Sequence, residues 1–168
     1  MRVLARYLDL LAAWSRRVNL TAAATPQRRV EVLVAPVLPA VPRLAPGGLI
    51  DVGSGNGSPG LVLALLAPDR AVTLLEPRAR RWAFLREAAR GAGRDDVRVL
   101  NERHDAYAGP PAANVTLRAL RLSLSDLRPL VASGGRALVY GPEPAPDPGW
   151  RRLELAGAAR PAVFVREG

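Results

Sequence analysis

The sequence predicts an α/β domain with a mainly parallel sheet, helices on both of its faces and a short helical cap at the N-terminus. Three observations carry this expectation. Short apolar runs alternate with amphipathic stretches from residue 49 onward, the first of these runs passes straight into a glycine-rich turn, and prolines at 36, 39, 42 and 46 separate this core from an amphipathic N-terminal stretch. With 168 residues there is room for one compact core, so residues 1–168 read as a single domain, with cap and connector over 1–46 and the Rossmann-like core over 47–168.

Residues 1–18 place Leu4, Leu8, Leu11 and Val18 at helical spacing and most of their charges elsewhere on the wheel, which predicts an amphipathic helix. Arg6 and Asp9 interrupt its apolar stretch, so it does not read as a secretory signal. The prolines at 36–46 argue against a long regular helix, and that stretch reads as a connector. Strands follow at 49–52, 71–76, 97–100, 114–117 and 136–140. Helices are expected at 59–67, at 78–92 with Trp82, Leu85 and Ala89 inward, and at 125–131 with Ser123 or Ser125 as cap. Residues 152–155 and 162–165 read as an antiparallel edge pair separated by Gly157 and Pro161. The stretch 141–149 is too proline-rich for a helix.

Cysteine is absent, which excludes disulfides, thiolate metal sites and thiol nucleophiles, and a lone histidine, His104, excludes cages built on paired histidines. No metal is expected. All 24 basic residues are arginine, and against 15 acids they leave a net charge of +9, which suits a polyanionic partner such as nucleic acid. A genome biased in base composition would produce the same arginines without selection for binding. Missing lysine excludes Schiff-base enzymes and ribose methylases built on a Lys-Asp-Lys-Glu tetrad. No apolar run approaches the roughly 18 residues that span a bilayer, and the expected location is the cytoplasm.

The informative segment is Leu49-Ile50-Asp51-Val52-Gly53-Ser54-Gly55-Asn56-Gly57-Ser58-Pro59-Gly60, a buried strand turning through glycines into a helix. Such a turn lets a ligand approach the backbone, and the helix start offers unpaired N–H groups. Dinucleotides are held by G-x-G-x-x-G, whereas an acid followed by x-G-x-G-x-G is the pattern for S-adenosylmethionine. The order Asp51, Gly53, Gly55, Gly57 fits the second. Glu76, ending the second strand, is placed to accept both ribose hydroxyls of the cofactor.

These residues, with others in order along the chain, resemble the small-subunit ribosomal RNA methyltransferase G family, also called glucose-inhibited division protein B. The matching pieces are Leu11 with Trp14-Ser15-Arg16-Arg17-Val18-Asn19-Leu20-Thr21, the glycine segment to Gly60, and Thr73-Leu74-Leu75-Glu76. Arg80-Arg81, Phe84-Leu85, Arg103-His104-Asp105 and Arg118-Ala119 complete them, so the resemblance covers residues 7–141. It implies a class I S-adenosylmethionine-dependent methyltransferase fold and methylation of guanine N7 in 16S ribosomal RNA, with ribosomal RNA or the small subunit as partner and the protein a monomer. It further implies that Gly53 and Ser58 lie against the methyl donor, Glu76 on its ribose, His104 and Asp105 beside its adenine, and Arg118 in the pocket. With Asp51 and Gly55 of the turn these are the candidate cofactor residues, and no catalytic side chain is expected, because N7 has a lone pair and no proton to remove.

The chain departs from the family pattern at Ala35-Pro36 and Pro39-Ala40, where an Arg-His and an Asp-Ser pair are usual, and at Tyr140, where the family carries a lysine. Two further readings follow: a paralogue that binds RNA without turnover, and a small-molecule methyltransferase.

Overall fold

The computed structural model describes residues 2–154 and 161–168. Seven strands form one sheet: β1 (Leu49–Val52), β2 (Val72–Leu75), β3 (Arg98–Leu100), β4 (Ala112–Arg118), β5 (Val131–Tyr140), β6 (Trp150–Arg152) and β7 (Ala162–Arg166). Their order is β3-β2-β1-β4-β5-β7-β6. The first five run parallel. β7 pairs antiparallel with both β5 and β6. The strand order therefore reverses beside β1, and the crevice outside the carboxyl ends of β1 and β4 is the topological switch point at which open α/β sheets bind ligands.

Among the described residues five α-helices accompany the sheet: α1 (Arg2–Trp14), α2 (Pro26–Arg29), α3 (Gly60–Leu66), α4 (Ala79–Gly91) and α5 (Leu124–Leu127). One face of the sheet is covered by α1, α3 and α4, with Tyr7, Leu11, Leu61, Leu63, Phe84 and Leu85 buried among them. Trp14 closes this layer, its ring edge-on to Phe84 and its indole N–H donating to Glu87. The opposite face is sealed chiefly by the leucines in and after α5 and by Trp150, packed on Ile50, Val52, Val115 and Leu117. Ser123 caps α5 and exchanges hydrogen bonds with Asp126, a reciprocal capping box.

Two sequence expectations need correction. Residues 26–43 are helical throughout: α2 continues into a five-residue π turn, Val30–Val34, and a nine-residue 3₁₀ helix, Ala35–Arg43. A 3₁₀ helix repeats every three residues, so Pro36, Pro39 and Pro42 line one edge while Val37 and Ala40 are fully buried on another. The helix expected at 125–131 is one turn long, because β5 begins at Val131 and pairs through Val131 with Ala112. The edge pair falls at Trp150–Arg152 and Ala162–Arg166; of the residues assigned to it from sequence, Leu155 and Gly157 lie outside those described.

Candidate functional site

At the switch point β1 turns through Gly53, Gly55 and Gly57, all at positive φ, into α3. At Gly53 the absence of a side chain also matters sterically, since a Cβ there would lie 2.6 Å from Cδ1 of Leu120, which leans over it from the loop after β4. Glu76 follows β2, is 3% exposed and aims its carboxylate into this turn. Oε2 accepts the Gly55 N–H at 2.8 Å and Oε1 the Arg78 N–H at 2.9 Å. A carboxylate has about four lone-pair positions, so both oxygens retain capacity for a ligand's hydroxyls.

The N-terminal cap grips the turn from the other side. Tyr7, fully buried on α1, donates to the Asn56 carbonyl at 2.7 Å, and Asn56 Nδ2 donates to the Leu20 carbonyl at 3.1 Å. Burial pushes the Tyr7 phenol well above its ordinary range, so it remains a donor. Ser58 Oγ donates to the Leu33 carbonyl at 2.7 Å and accepts from Arg118 Nη1 at 2.9 Å, while Arg118 Nη2 donates to the Val32 carbonyl at 2.7 Å. Pro36 removes one backbone competitor for these two carbonyls. A residue with an N–H at 36 could bond Val32 in an α pattern or Leu33 in a 3₁₀ pattern, and proline can do neither. Both carbonyls instead accept from side chains at the glycine turn and its neighbour, Ser58 and Arg118.

Between cap and turn lies a cleft of about 300 Å³ lined by residues that include Gly53, Gly55, Ser58, Arg81, Arg118 and Ala119. Arg81 crosses its rim to the Asn19 carbonyl. Of the residues singled out from sequence, Gly53, Gly55, Ser58 and Arg118 line this cleft together, and Glu76 backs the turn from β2. His104 and Asp105 lie apart from it, in a 3₁₀ turn after β3. Asp105 is exposed, and the Arg103 guanidinium that its carboxylate holds keeps its pKa below the usual carboxylate range.

Asp51 sits beneath the turn instead of in the cleft. It is 1% exposed, Oδ1 accepts from Thr116 Oγ1 at 2.6 Å, and Oδ2 has no hydrogen-bond partner among the described residues. Burial raises its pKa from 3.8 to about 6. Between those two values the folded chain keeps a proton that the unfolded chain has released, so stability falls as pH rises through the window, by about 3 kcal/mol in total. Asp51→Asn removes this component. The difference in urea-unfolding free energy, wild type minus variant, is expected to decline from about pH 4 to about pH 6 and level off above; a difference flat across that range refutes the assignment.

Tyr140, at the end of β5, is buried at 6% exposure, its hydroxyl has no hydrogen-bond partner among the described residues, and burial raises its pKa above the ordinary range. It packs into the core layer on the cap side. Sequence reasoning missed Tyr7, Asn56, Arg81, Thr116 and Leu120. Tyr7, Leu11 and Trp14 fall at i, i+4 and i+7, a helical spacing that would have found the first.

A model of the family described as rRNA small subunit methyltransferase G matches residues 1–144. Proteins named ribosomal RNA small subunit methyltransferase G from Xanthomonas axonopodis pv. citri and Halorhodospira halophila are 38% and 39% identical over 139 and 135 residues, 82% and 79% of this chain. The chain spans 64% and 65% of the length of those two relatives. Among solved structures, Escherichia coli yhhF superposes with a TM-score of 0.60 at 20% identity, covering 77% of this chain and 80% of that one. A variant of MtNAS in complex with S-adenosylmethionine superposes with a TM-score of 0.64 at 17% identity, covering 98% of this chain and 74% of that one. At such identities the structural likeness concerns the fold.

Proposed function

The chain belongs to the rRNA small subunit methyltransferase G family, and from that premise we propose that it binds S-adenosylmethionine at the glycine turn and methylates N7 of a guanine in 16S ribosomal RNA. The observation that carries the reading is the Glu76 carboxylate, buried and aimed into a positive-φ glycine turn whose Gly53 and Gly55 line the cleft. The side chains fit the cofactor: a carboxylate for the ribose hydroxyls, backbone N–H groups at the turn, and two guanidiniums, Arg81 and Arg118, lining the cleft where the carboxylate of the methionine moiety needs a cation. His104 and Asp105 would flank the adenine from the β3 side.

When bound, S-adenosylmethionine supplies an electrophilic methyl group. The chain's own work is then positional. Guanine N7 offers its lone pair without deprotonation, so no general base is needed, and holding two partners in line is worth several kcal/mol of the barrier, up to about 7 to 11 in the best cases. Tyr7, Ser58 and Arg118 fix the turn against the cap, which keeps the donor's seat from shifting during transfer. On this reading cap 1–46 and core 47–168 act as one unit, monomeric and cytoplasmic, with RNA as partner and no metal.

Calorimetric titration with S-adenosylhomocysteine is expected to give heat with the wild type and none with Gly53→Arg, whose side chain would fill the turn. Label from radioactive S-adenosylmethionine is expected in 16S RNA or small subunits. Absence of heat from the wild type overturns the cofactor assignment. A second reading, RNA binding without turnover, draws on the buried Tyr140 at the family's lysine position; it predicts heat and RNA binding with no label in RNA. Label confined to small metabolites would instead indicate a small-molecule substrate.

A further inference from the structure

Along α4 and just beyond it the sequence sets Arg78, Trp82, Arg86, Arg90 and Arg94 every fourth residue. Residues four apart on a helix are neighbours on its surface, so this row runs from the start of α4, where Arg78 N–H is held by Glu76, to the far end of the helix. The Arg86 guanidinium stacks over Trp82 at 4.9 Å from the ring centroid, and the Trp82 indole is pinned to the Val99 carbonyl at 3.0 Å. The row ends in a cleft of about 140 Å³ between α4 and β3, lined by Arg86, Arg90, Arg94 and Asp95 over Val97 and Val99.

Two features mark this cleft as a seat for an anion. Arg94 is only 6% exposed; its Nε and Nη2 are taken by Asp96 and the Arg70 carbonyl, but Nη1 is buried with no hydrogen-bond partner among the described residues. A buried donor left unpaired is costly, and this one belongs to a side chain that lines the cleft. Arg86 and Arg90 are exposed, and neither joins an ion pair among the described residues, whereas Arg28, Arg103, Arg128, Arg151 and Arg152 each meet a carboxylate. Two unpaired guanidiniums, beside an Arg94 already paired with Asp96, thus face one lining carboxylate, Asp95.

The geometry points to a binding site for backbone phosphates of RNA along the Arg86, Arg90 and Arg94 row, about one helix length from the glycine turn. This rests on the RNA reading above. The 13 residues of α4 span about 20 Å, so a strand leaving the methyl-transfer cleft past Arg78 reaches the far cleft after roughly six stacked nucleotides at ~3.4 Å each. Phosphate contacts of this kind position a substrate without reading its bases. Trp82, with one ring face covered by Arg86, holds that guanidinium in place.

The test titrates the full chain against an end-labelled 16S ribosomal RNA transcript over a range of salt, with Arg86→Gln/Arg90→Gln set against Arg151→Gln/Arg152→Gln, which removes equal charge at the opposite edge of the sheet. The first variant is expected to weaken binding about tenfold near 0.1 M salt and to make the log–log salt slope shallower by about 1.4, two contacts at ~0.7 each. The control should stay within about twofold, and both variants should bind S-adenosylhomocysteine as the wild type does. Equal losses in the two variants, or no loss in the first, overturn the site. Label transfer to the same transcript is read in parallel. A wild type that transfers no label, with RNA binding still lost in Arg86→Gln/Arg90→Gln, sinks the methylation reading and leaves this site standing. A wild type that methylates while that variant binds unchanged does the reverse.

Discussion

Glu76→Ala is expected to lower affinity for S-adenosylhomocysteine by at least about a hundredfold. Each hydrogen bond from a ribose hydroxyl to this carboxylate contributes roughly 1.5 to 3 kcal/mol, and the geometry allows two. The substitution also strips partners from the Gly55 and Arg78 N–H groups, so the turn that would hold the cofactor loosens at the same time. An unpaired buried donor costs about 1 to 3 kcal/mol, which at this chain length lowers the melting temperature by several degrees. Glu76→Gln separates the two effects, since its amide oxygen can still accept from Gly55 while the negative charge is lost. Isothermal titration of both variants decides the matter: affinity within threefold of the wild type in Glu76→Ala would remove the ribose from this carboxylate.

The second large effect concerns stability. At Gly60, the first residue of α3, a Cβ would come within 2.3 Å of Asp51 Cβ and 2.4 Å of Cγ and Oδ2. Asp51 has nowhere to go: it lies in the sheet between β2 and β4 and its carboxylate is bonded to Thr116. Gly60→Ala should therefore cost about 3 kcal/mol or more, at the upper end for overpacking a core, and lower the melting temperature by about 6 to 12 °C. Removing the obstruction with Asp51→Gly in the same chain, which takes away Cβ as well as the carboxylate, is expected to restore much of the loss, a coupling that a double-mutant cycle measures directly. A loss below about 1 kcal/mol for Gly60→Ala alone would show that α3 shifts to make room.

How much could be read beforehand varies with the physics of each segment. β1 is legible to the residue, because a strand buried on both faces reads as a short apolar run, here interrupted only by Asp51, and the glycines after it mark its end. The same turn points to Gly53 and Gly55, which line the cleft, and the next strand end to Glu76, which backs it, whereas Ser58 comes only through the family resemblance. The connector expected at 36–46 is 3₁₀ helix as far as Arg43, because proline breaks an α-helix but the period of three shared by Pro36, Pro39 and Pro42 is compatible with the 3₁₀ form. Asp51 illustrates a different limit. Its place in the motif is plain, but whether its carboxylate looks out to a ligand or in toward Gly60 depends on long-range packing against Thr116, 65 positions away. The cap's hold on the turn was invisible for the same reason, since its carbonyls carry no sequence signature beyond Pro36.

That hold has a consequence for biosynthesis. Tyr7 reaches its acceptor across 49 positions and Arg118 reaches back 86 to Val32. At translation speeds of roughly 5–20 residues per second, about 4 to 17 seconds separate the polymerisation of Val32 from that of Arg118. Through this interval the apolar stripe of α1 lacks the layer that later buries it, so Leu8 and Leu11, which afterwards help seal the finished molecule, have nothing yet to pack against.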